Sequence, residues 1–138
     1  AFIGATIASQ NEDHDRGECR TQASEADRRG NIVDGLRAIA IDAASTLFDL
    51  GVEDPAAAFV AEYSRAAAKH PGMTLDAGGH TDETRFYALA EEVGEVAAAL
   101  TYDNALETGH KADLIAEVTQ VGALALAWLT RYQEGGEK

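Results

Sequence analysis

The sequence has almost nothing that could cross-link or stiffen the chain: it contains one cysteine, Cys19, and two prolines among 138 residues. A single cysteine cannot close an internal disulfide, so the fold must rest on packing, and the composition fits a reducing compartment. Proline-rich disorder is excluded too, because 46% of the residues are hydrophobic and 25% are charged. The length suffices for one domain and not for two, so residues 1–138 are expected to form a single domain.

Basic residues are also scarce: 11 against 24 acidic residues give a net charge of −13. This charge repels nucleic-acid phosphates and anionic lipid surfaces, so neither nucleic acid nor a membrane is an expected partner. A phosphorylated small molecule stays compatible with the charge when a divalent cation bridges its phosphates to the surplus carboxylates.

Long apolar runs are missing as well, since no stretch approaches the roughly 20 residues that a membrane span needs. The apolar segment 1–8 has no basic residue before it and no A-x-A pattern after it, which does not fit a signal peptide. The sequence therefore predicts a cytoplasmic protein.

Apolar residues recur with the 3.6-residue period of helices, and strand-like alternation is nearly absent outside residues 1–8. The sequence thus predicts an all-α fold, a helical bundle. The expected helices cover 32–50, 55–69 with Asp54 as N-cap and Pro55 in the first turn, 82–102 and 110–132. A glycine-rich loop is expected over 71–80. Residues 1–30 are poorly defined, and the charged stretch 11–31 fits either a loop or an exposed helix.

The apolar stripes of the four predicted helices define the expected core. The first helix offers a stripe of Ile32, Leu36, Ile39, Ala43, Leu47 and Leu50. The second helix offers a narrow stripe of Phe59, Val60, Tyr63 and Ala67. The third offers a broad stripe of Phe86, Leu89, Ala90, Val93, Val96, Ala97 and Leu100. The fourth contributes Leu114, Val118, Val121, Leu124, Ala125, Trp128 and Leu129, and Trp128 is expected to belong to the core.

Carboxylates lie where the third helix should meet the core. Glu91, Glu92 and Glu95 fall within a sector of about 100° along the edge of its apolar stripe. The like-charged pairs at i, i+3 and i, i+4 destabilise a helix by a few tenths of a kcal/mol, and a bound cation would reverse that effect. A solvated acidic edge is the alternative interpretation of these three residues by themselves.

The fourth helix strengthens the case, because Asp113, Glu117 and Gln120 lie on the same side as Trp128. A carboxylate facing a core costs several kcal/mol unless it is paired, protonated or bound to a metal ion. No basic residue is expected at matching depth on these two helices. Carboxylate oxygens from facing helices suit Mg²⁺, or Mn²⁺.

The segment Leu89–Val96, Leu-Ala-Glu-Glu-Val-Gly-Glu-Val, is followed 21 residues later by Glu117-Val-Thr-Gln-Val121. Together they resemble the E-E-x-x-E and E-x-x-D motifs of the MazG-like all-α nucleoside triphosphate pyrophosphohydrolases. The resemblance covers the motif-bearing helix pair, residues 69–132, about half of the chain. The stretch Glu117–Leu129 further resembles phage and actinobacterial members in which the last motif aspartate is a glutamine.

The resemblance implies hydrolysis of a nucleoside triphosphate to the monophosphate and pyrophosphate, with Mg²⁺ as cofactor and Mn²⁺ as an alternative. The implied metal ligands are Glu92, Glu95, Glu117 and Gln120. The implied catalytic residues are Glu91 and Glu92, with Glu91 either a ligand or the group that orients the attacking water. Asp113 is an auxiliary acid, and Lys111 is a candidate contact for substrate phosphate. The resemblance, with the broad apolar faces, also implies a homodimer or a homotetramer.

Gln120 departs from the family motif, because it offers a neutral amide where the family usually has a carboxylate. The resemblance therefore leaves two outcomes open: an active enzyme, and a nucleotide-binding or regulatory homologue with weak or no turnover. A helical oligomerisation module with an acidic face and no ligand is a third possibility of a different class.

Overall fold

The computed structural model describes residues 17–101 and 111–134, and the side chains of residues 24–100 and 113–133. The described residues form four helices and no strand, which confirms the all-α prediction. The helices are α1 (Gly17–Asp49), α2 (Pro55–Lys69), α3 (Asp82–Thr101) and α4 (Lys111–Glu134).

The start of α1 is the main departure from the predicted helices, because α1 begins at Gly17 and not at Ile32. Its residues 24–31 are exposed, and they carry no apolar stripe from which a helix could be predicted. Contacts divide the chain into two units, Ala1–Asp34 and Gly35–Lys138, and the boundary falls inside α1. The second unit contains the core and the candidate site.

The connection from α1 to α2 follows from local capping. Gly51 has φ +97°, and the N–H groups of Gly51 and Val52 donate to Phe48 O and Leu47 O, which closes the last turn of α1. The Asp54 carboxylate accepts a hydrogen bond of 3.0 Å from Ala57 N, and Pro55 occupies the first turn of α2. Both predicted signals at the start of α2 are confirmed.

The core forms where α4 packs against α2 and α3, together with the last part of α1. Leu47 of α1 and Phe59 of α2 are almost fully buried, and Trp128 of α4 is buried as predicted. A Cβ atom at Gly122 of α4 would fall on the Phe59 ring, so α2 and α4 approach closely at this point. The residues of the main cluster are Ala43, Leu47, Phe59, Ala99, Leu114, Val118 and Ala123.

The inward face of α3 is narrower than predicted. Phe86, Val93 and Leu100 were expected in the core, but all three are about half exposed; Val60 of α2 is exposed too. The inward side of α3 is formed by residues that follow one another at alternating steps of four and three positions: Arg85, Leu89, Glu92, Val96 and Ala99. The predicted stripe therefore combines two neighbouring faces of α3. The face with Leu89 and Val96 packs against α4, and the face with Phe86, Val93 and Leu100 is exposed.

The loop between α2 and α3 is fixed by polar side chains. Arg85 is 4% exposed and donates to Leu75 O at 2.7 Å and to Ala77 O at 2.9 Å. Tyr63 of α2 donates to the Asp76 carboxylate at 2.7 Å. Burial alone would raise the pKa of Asp76, but hydrogen bonds from Thr74, from Tyr63 and from the backbone, together with the charge of Arg85, outweigh burial and lower that pKa. The loop is thereby held against both α2 and α3.

One segment of α4, Asp113–Gln133, is long and apolar enough to cross a membrane by length and composition. The prediction that no stretch approaches the length of a membrane span is therefore wrong for α4. Half of the segment is buried inside the protein, as in the core helices of globular domains, so it is weak support for a membrane span.

Candidate metal centre

Three of the predicted ligands come together. Glu92 and Glu95 of α3 and Glu117 of α4 each offer a carboxylate oxygen, and these oxygens all lie within 4.8 Å of one another. Glu92 and Glu95 are one turn apart on α3, and the packing of α3 against α4 brings Glu117 to them. Glu92 and Glu117 are partly buried, whereas Glu95 is exposed.

Glu92 carries the largest electrostatic cost of the cluster. Burial, together with the negative charges of Glu95, Glu117, Glu91 and Glu62, raises its pKa from 4.5 to about 7. Its Oε2 atom is buried and accepts no hydrogen bond from the described residues. A buried carboxylate oxygen without a donor is what a cation would stabilise.

Glu117 shares this environment. Burial is the largest cause that raises the pKa of Glu117. Its hydrogen bond with Glu95 and the charges of Glu95, Asp113 and Glu62 raise that pKa further. Gln120, one turn later on α4, donates from Nε2 to Glu117 Oε2 at 3.3 Å. Gln120 thus reaches the cluster, as predicted, but its contact there is that of a hydrogen-bond donor. Its role as a metal ligand stays a prediction.

A fourth carboxylate belongs to the same neighbourhood and was missed in the sequence. The charge of Glu62 on α2 raises the pKa of both Glu92 and Glu117. Its side chain is 18% exposed. The available signal was the spacing: Glu62 is three residues after the buried Phe59, which puts it on the inward face of α2. The acidic residues that act on the cluster therefore come from three helices.

A buried basic side chain does occur on α3, contrary to expectation, but it does not neutralise the cluster. Besides its two bonds to loop carbonyl groups, Arg85 donates to Asp82 at 3.4 Å. Arg85 is not among the main contributions to the pKa of Glu92 or Glu117. Arg85 was not predicted from the sequence, because the inward face of α3 was defined by its apolar residues alone.

The remaining predicted site residues lie around the cluster. Glu91 is exposed and lines a neighbouring cavity together with Glu92 and Gln120. Asp113 is exposed at the start of α4, and its charge acts on Glu117. Lys111 opens α4, but its side chain is outside those that the structure describes.

The cavity has a volume of about 540 Å³, which is within the usual range for small-molecule sites. Its walls come from α2, α3, α4 and the loop that Arg85 and Tyr63 hold in place. One side is charged, with Glu62, Arg65 and Lys69, and another is apolar. A small molecule in this cavity would therefore touch Glu92, one of the three carboxylates of the cluster.

The residues present fit a hard divalent cation. Three carboxylates converge from two helices, one of their buried oxygens has no donor among the described residues, and all the ligand atoms are oxygens. Mg²⁺ and Mn²⁺ prefer such ligands and retain water at their remaining positions. No sulfur or imidazole group belongs to the set, which makes a zinc site of the usual type a poor fit.

Fold and site together define a class: a helical bundle in which facing helices build a carboxylate centre beside a small-molecule cavity. Comparison of the chain with protein families, with curated proteins and with solved structures finds no match.

Proposed function

We propose that this protein is a Mg²⁺-dependent nucleoside triphosphate pyrophosphohydrolase of the MazG-like kind. The observation that carries the proposal is the convergence of Glu92, Glu95 and Glu117 at the motif spacing, with Glu92 lining a cavity large enough for a small molecule. The charge of the chain supports it as well, because a protein of net charge −13 needs a cation to accept a polyphosphate.

The roles follow from the positions of the side chains. Glu92, Glu95 and Glu117 would hold the cation; Mg²⁺ supplies neutralisation of phosphate oxygens and a lower pKa of its water. Glu91 is exposed at the cavity beside Glu92, and it would orient the attacking water and take its proton. The water adds across the bond that joins the α and β phosphates, which releases the nucleoside monophosphate and pyrophosphate.

The proposal is tested by incubating the full chain with ribo- and deoxynucleoside triphosphates in Mg²⁺ or Mn²⁺. Pyrophosphate and orthophosphate are then quantified separately. We expect pyrophosphate in equal amount to the monophosphate, and no orthophosphate. Release of orthophosphate, or no product with any nucleotide and either metal, would contradict the proposed reaction.

One observation favours the alternative of a nucleotide-binding or regulatory homologue. Gln120 donates to Glu117, so it competes with a cation for that carboxylate instead of adding a negative charge. Under this alternative the chain binds the nucleotide with Mg²⁺ and turns it over slowly or not at all.

The substitution Gln120→Asp separates the two candidates. It restores a carboxylate one turn from Glu117, so Mg²⁺ should bind more tightly while the metal-free protein loses stability. If the glutamine only weakens an enzyme, turnover should be at least as fast as in the parent. Loss of activity from an active parent would show that Gln120 has a role of its own in binding substrate or water.

We also propose that the protein assembles as a homodimer or as a tetramer made of dimers. The exposed face of α3 carries Phe86, Ala90, Val93, Ala97 and Leu100 at alternating steps of four and three residues, the spacing of helix-pairing seams. A second exposed apolar pair, Ile41 and Phe48, lies one heptad apart on α1. In a two-fold dimer the stripe of one copy can cover that of the other reciprocally.

A further inference from the structure

The side chains with which α2 lines the cavity beside the carboxylate cluster change from acidic to basic along the helix. Glu62, Arg65 and Lys69 all line it from this one helix. Glu62 and Lys69 are seven positions apart, which corresponds to about 10 Å along the helix axis. Glu62 acts on the pKa of Glu92 and Glu117, so it marks the acidic end, and Lys69 in the last turn of α2 marks the basic end.

The two basic residues of this row are in different states. Arg65 is held by Glu62 through two hydrogen bonds, of 2.9 Å from Nε and 2.6 Å from Nη2. Lys69 is exposed and makes no ion pair with the side chains that the structure describes. An unpaired ammonium group in a protein with so large a negative charge can turn onto an anion without giving up a partner.

Leu75 of the loop and Ala123, Leu124 and Ala127 of α4 give the cavity an apolar wall as well. A ligand that suits both walls is elongated, with an anionic chain along one side and an uncharged ring on the other. A nucleoside triphosphate has this distribution, whereas a free phosphate or a hydrophobic molecule would satisfy one wall alone.

We propose that Lys69 binds the phosphate farthest from the carboxylate centre, so that the phosphate chain of the nucleotide lies along α2. This inference rests on the proposed function, because the carboxylate centre sets the metal-bound end. Lys69 is then a positioning residue for the polyphosphate, and it makes the affinity depend on the number of phosphates.

The test measures binding by calorimetry with Mg²⁺ and a nucleoside triphosphate whose α and β phosphorus atoms are joined by a methylene group, which prevents hydrolysis at that bond. The corresponding monophosphate is measured in parallel. For Lys69→Gln we expect the Kd of the triphosphate analogue to rise about tenfold and that of the monophosphate to change by less than about twofold. Lys69→Arg should keep the Kd of the triphosphate analogue within about twofold of the parent, because the cation is retained.

A matched control is Arg37→Gln, which removes one positive charge from an exposed position on α1 that does not line the cavity. It should leave both Kd values unchanged. Equal effects of Lys69→Gln and Arg37→Gln, or equal effects on triphosphate and monophosphate, would overturn the assignment of Lys69 while the parent still releases pyrophosphate. Absence of Mg²⁺-dependent nucleotide binding and turnover in the parent would overturn the proposed function, and the role of Lys69 with it.

Discussion

At the scale of single residues, the main feature is a carboxyl group, Glu92, whose surroundings disfavour its ionised form. Glu92 is partly buried, faces four other acidic residues and has a buried oxygen without a donor among the described residues. Without a cation, the pKa of Glu92 is about 7, so the carboxyl group keeps its proton at lower pH. With a cation bound, the same residue must release that proton.

This predicts a pH dependence of the metal-free protein. The folded pKa of Glu92, about 7, lies above its unfolded value of 4.5, so the folded chain binds more protons between these values. The free energy of unfolding should therefore fall as the pH rises from about 4.5 to 7, by on the order of 1–3 kcal/mol from this residue. Urea denaturation across this range measures the effect.

Glu92→Gln is the control for that experiment, since it keeps the shape and removes the titration. The difference in unfolding free energy between parent and variant should change with pH in metal-free buffer and stay flat with saturating Mg²⁺. Mg²⁺ affinity of the parent should in turn increase as the pH is raised through about 7. If the free energies of unfolding of parent and variant changed with pH in the same way without metal, the raised pKa of Glu92 would be contradicted.

At the scale of elements, the positions of the site residues depend on how closely α4 approaches its neighbours. Gly122 of α4 lies directly under the Phe59 ring of α2, and α4 carries Glu117 five residues before it. Gly94 of α3 has open space where a Cβ atom would be. The two helical glycines are therefore present for different reasons.

The contrast predicts opposite effects of the same substitution. Gly122→Ala should lower the free energy of unfolding by about 1–3 kcal/mol, because Phe59 must move out of a packed core. Gly94→Ala should raise it by roughly 0.5–1 kcal/mol, because alanine is the better helix former and meets no neighbour. Urea midpoints of both variants check this. If Gly122→Ala left the free energy of unfolding unchanged, the contact between α2 and α4 would not be as tightly packed as described.

The elements also show how far the sequence could be interpreted. The ends of α2 and α3 and the loop between them were predictable from Asp54, Pro55 and the glycines, because capping and turn chemistry is local. The start of α1 was not, since its exposed first half has no apolar period. The inward positions of Glu62 and Arg85 could be reached only by treating polar residues as candidates for the buried face.

At the scale of the whole molecule, the proposed dimer gives a further prediction. Val93→Glu puts a charge in the middle of the exposed α3 stripe, so it should shift the assembly to monomers and abolish the concentration dependence of the Tm. Val60→Glu makes the same change at an exposed position of α2, outside that stripe, and should leave assembly intact. Light scattering at micromolar concentration measures both, and a monomeric parent would contradict the dimer.

The central claim is that Glu92, Glu95 and Glu117 form a site for a divalent cation. Its most direct test is the Tm of the parent, of Glu117→Gln and of Glu53→Gln during titration with Mg²⁺ or Mn²⁺, with sodium at matched ionic strength as reference. Glu53 is exposed between α1 and α2 and controls for the loss of one charge. We expect millimolar Mg²⁺ to raise the Tm of the parent and of Glu53→Gln beyond the sodium reference, by mass action on the folded state. Glu117→Gln should be at least as stable as the parent without metal and should lose the response. Equal shifts with sodium and magnesium, or a magnesium response that survives Glu117→Gln, would contradict the metal site.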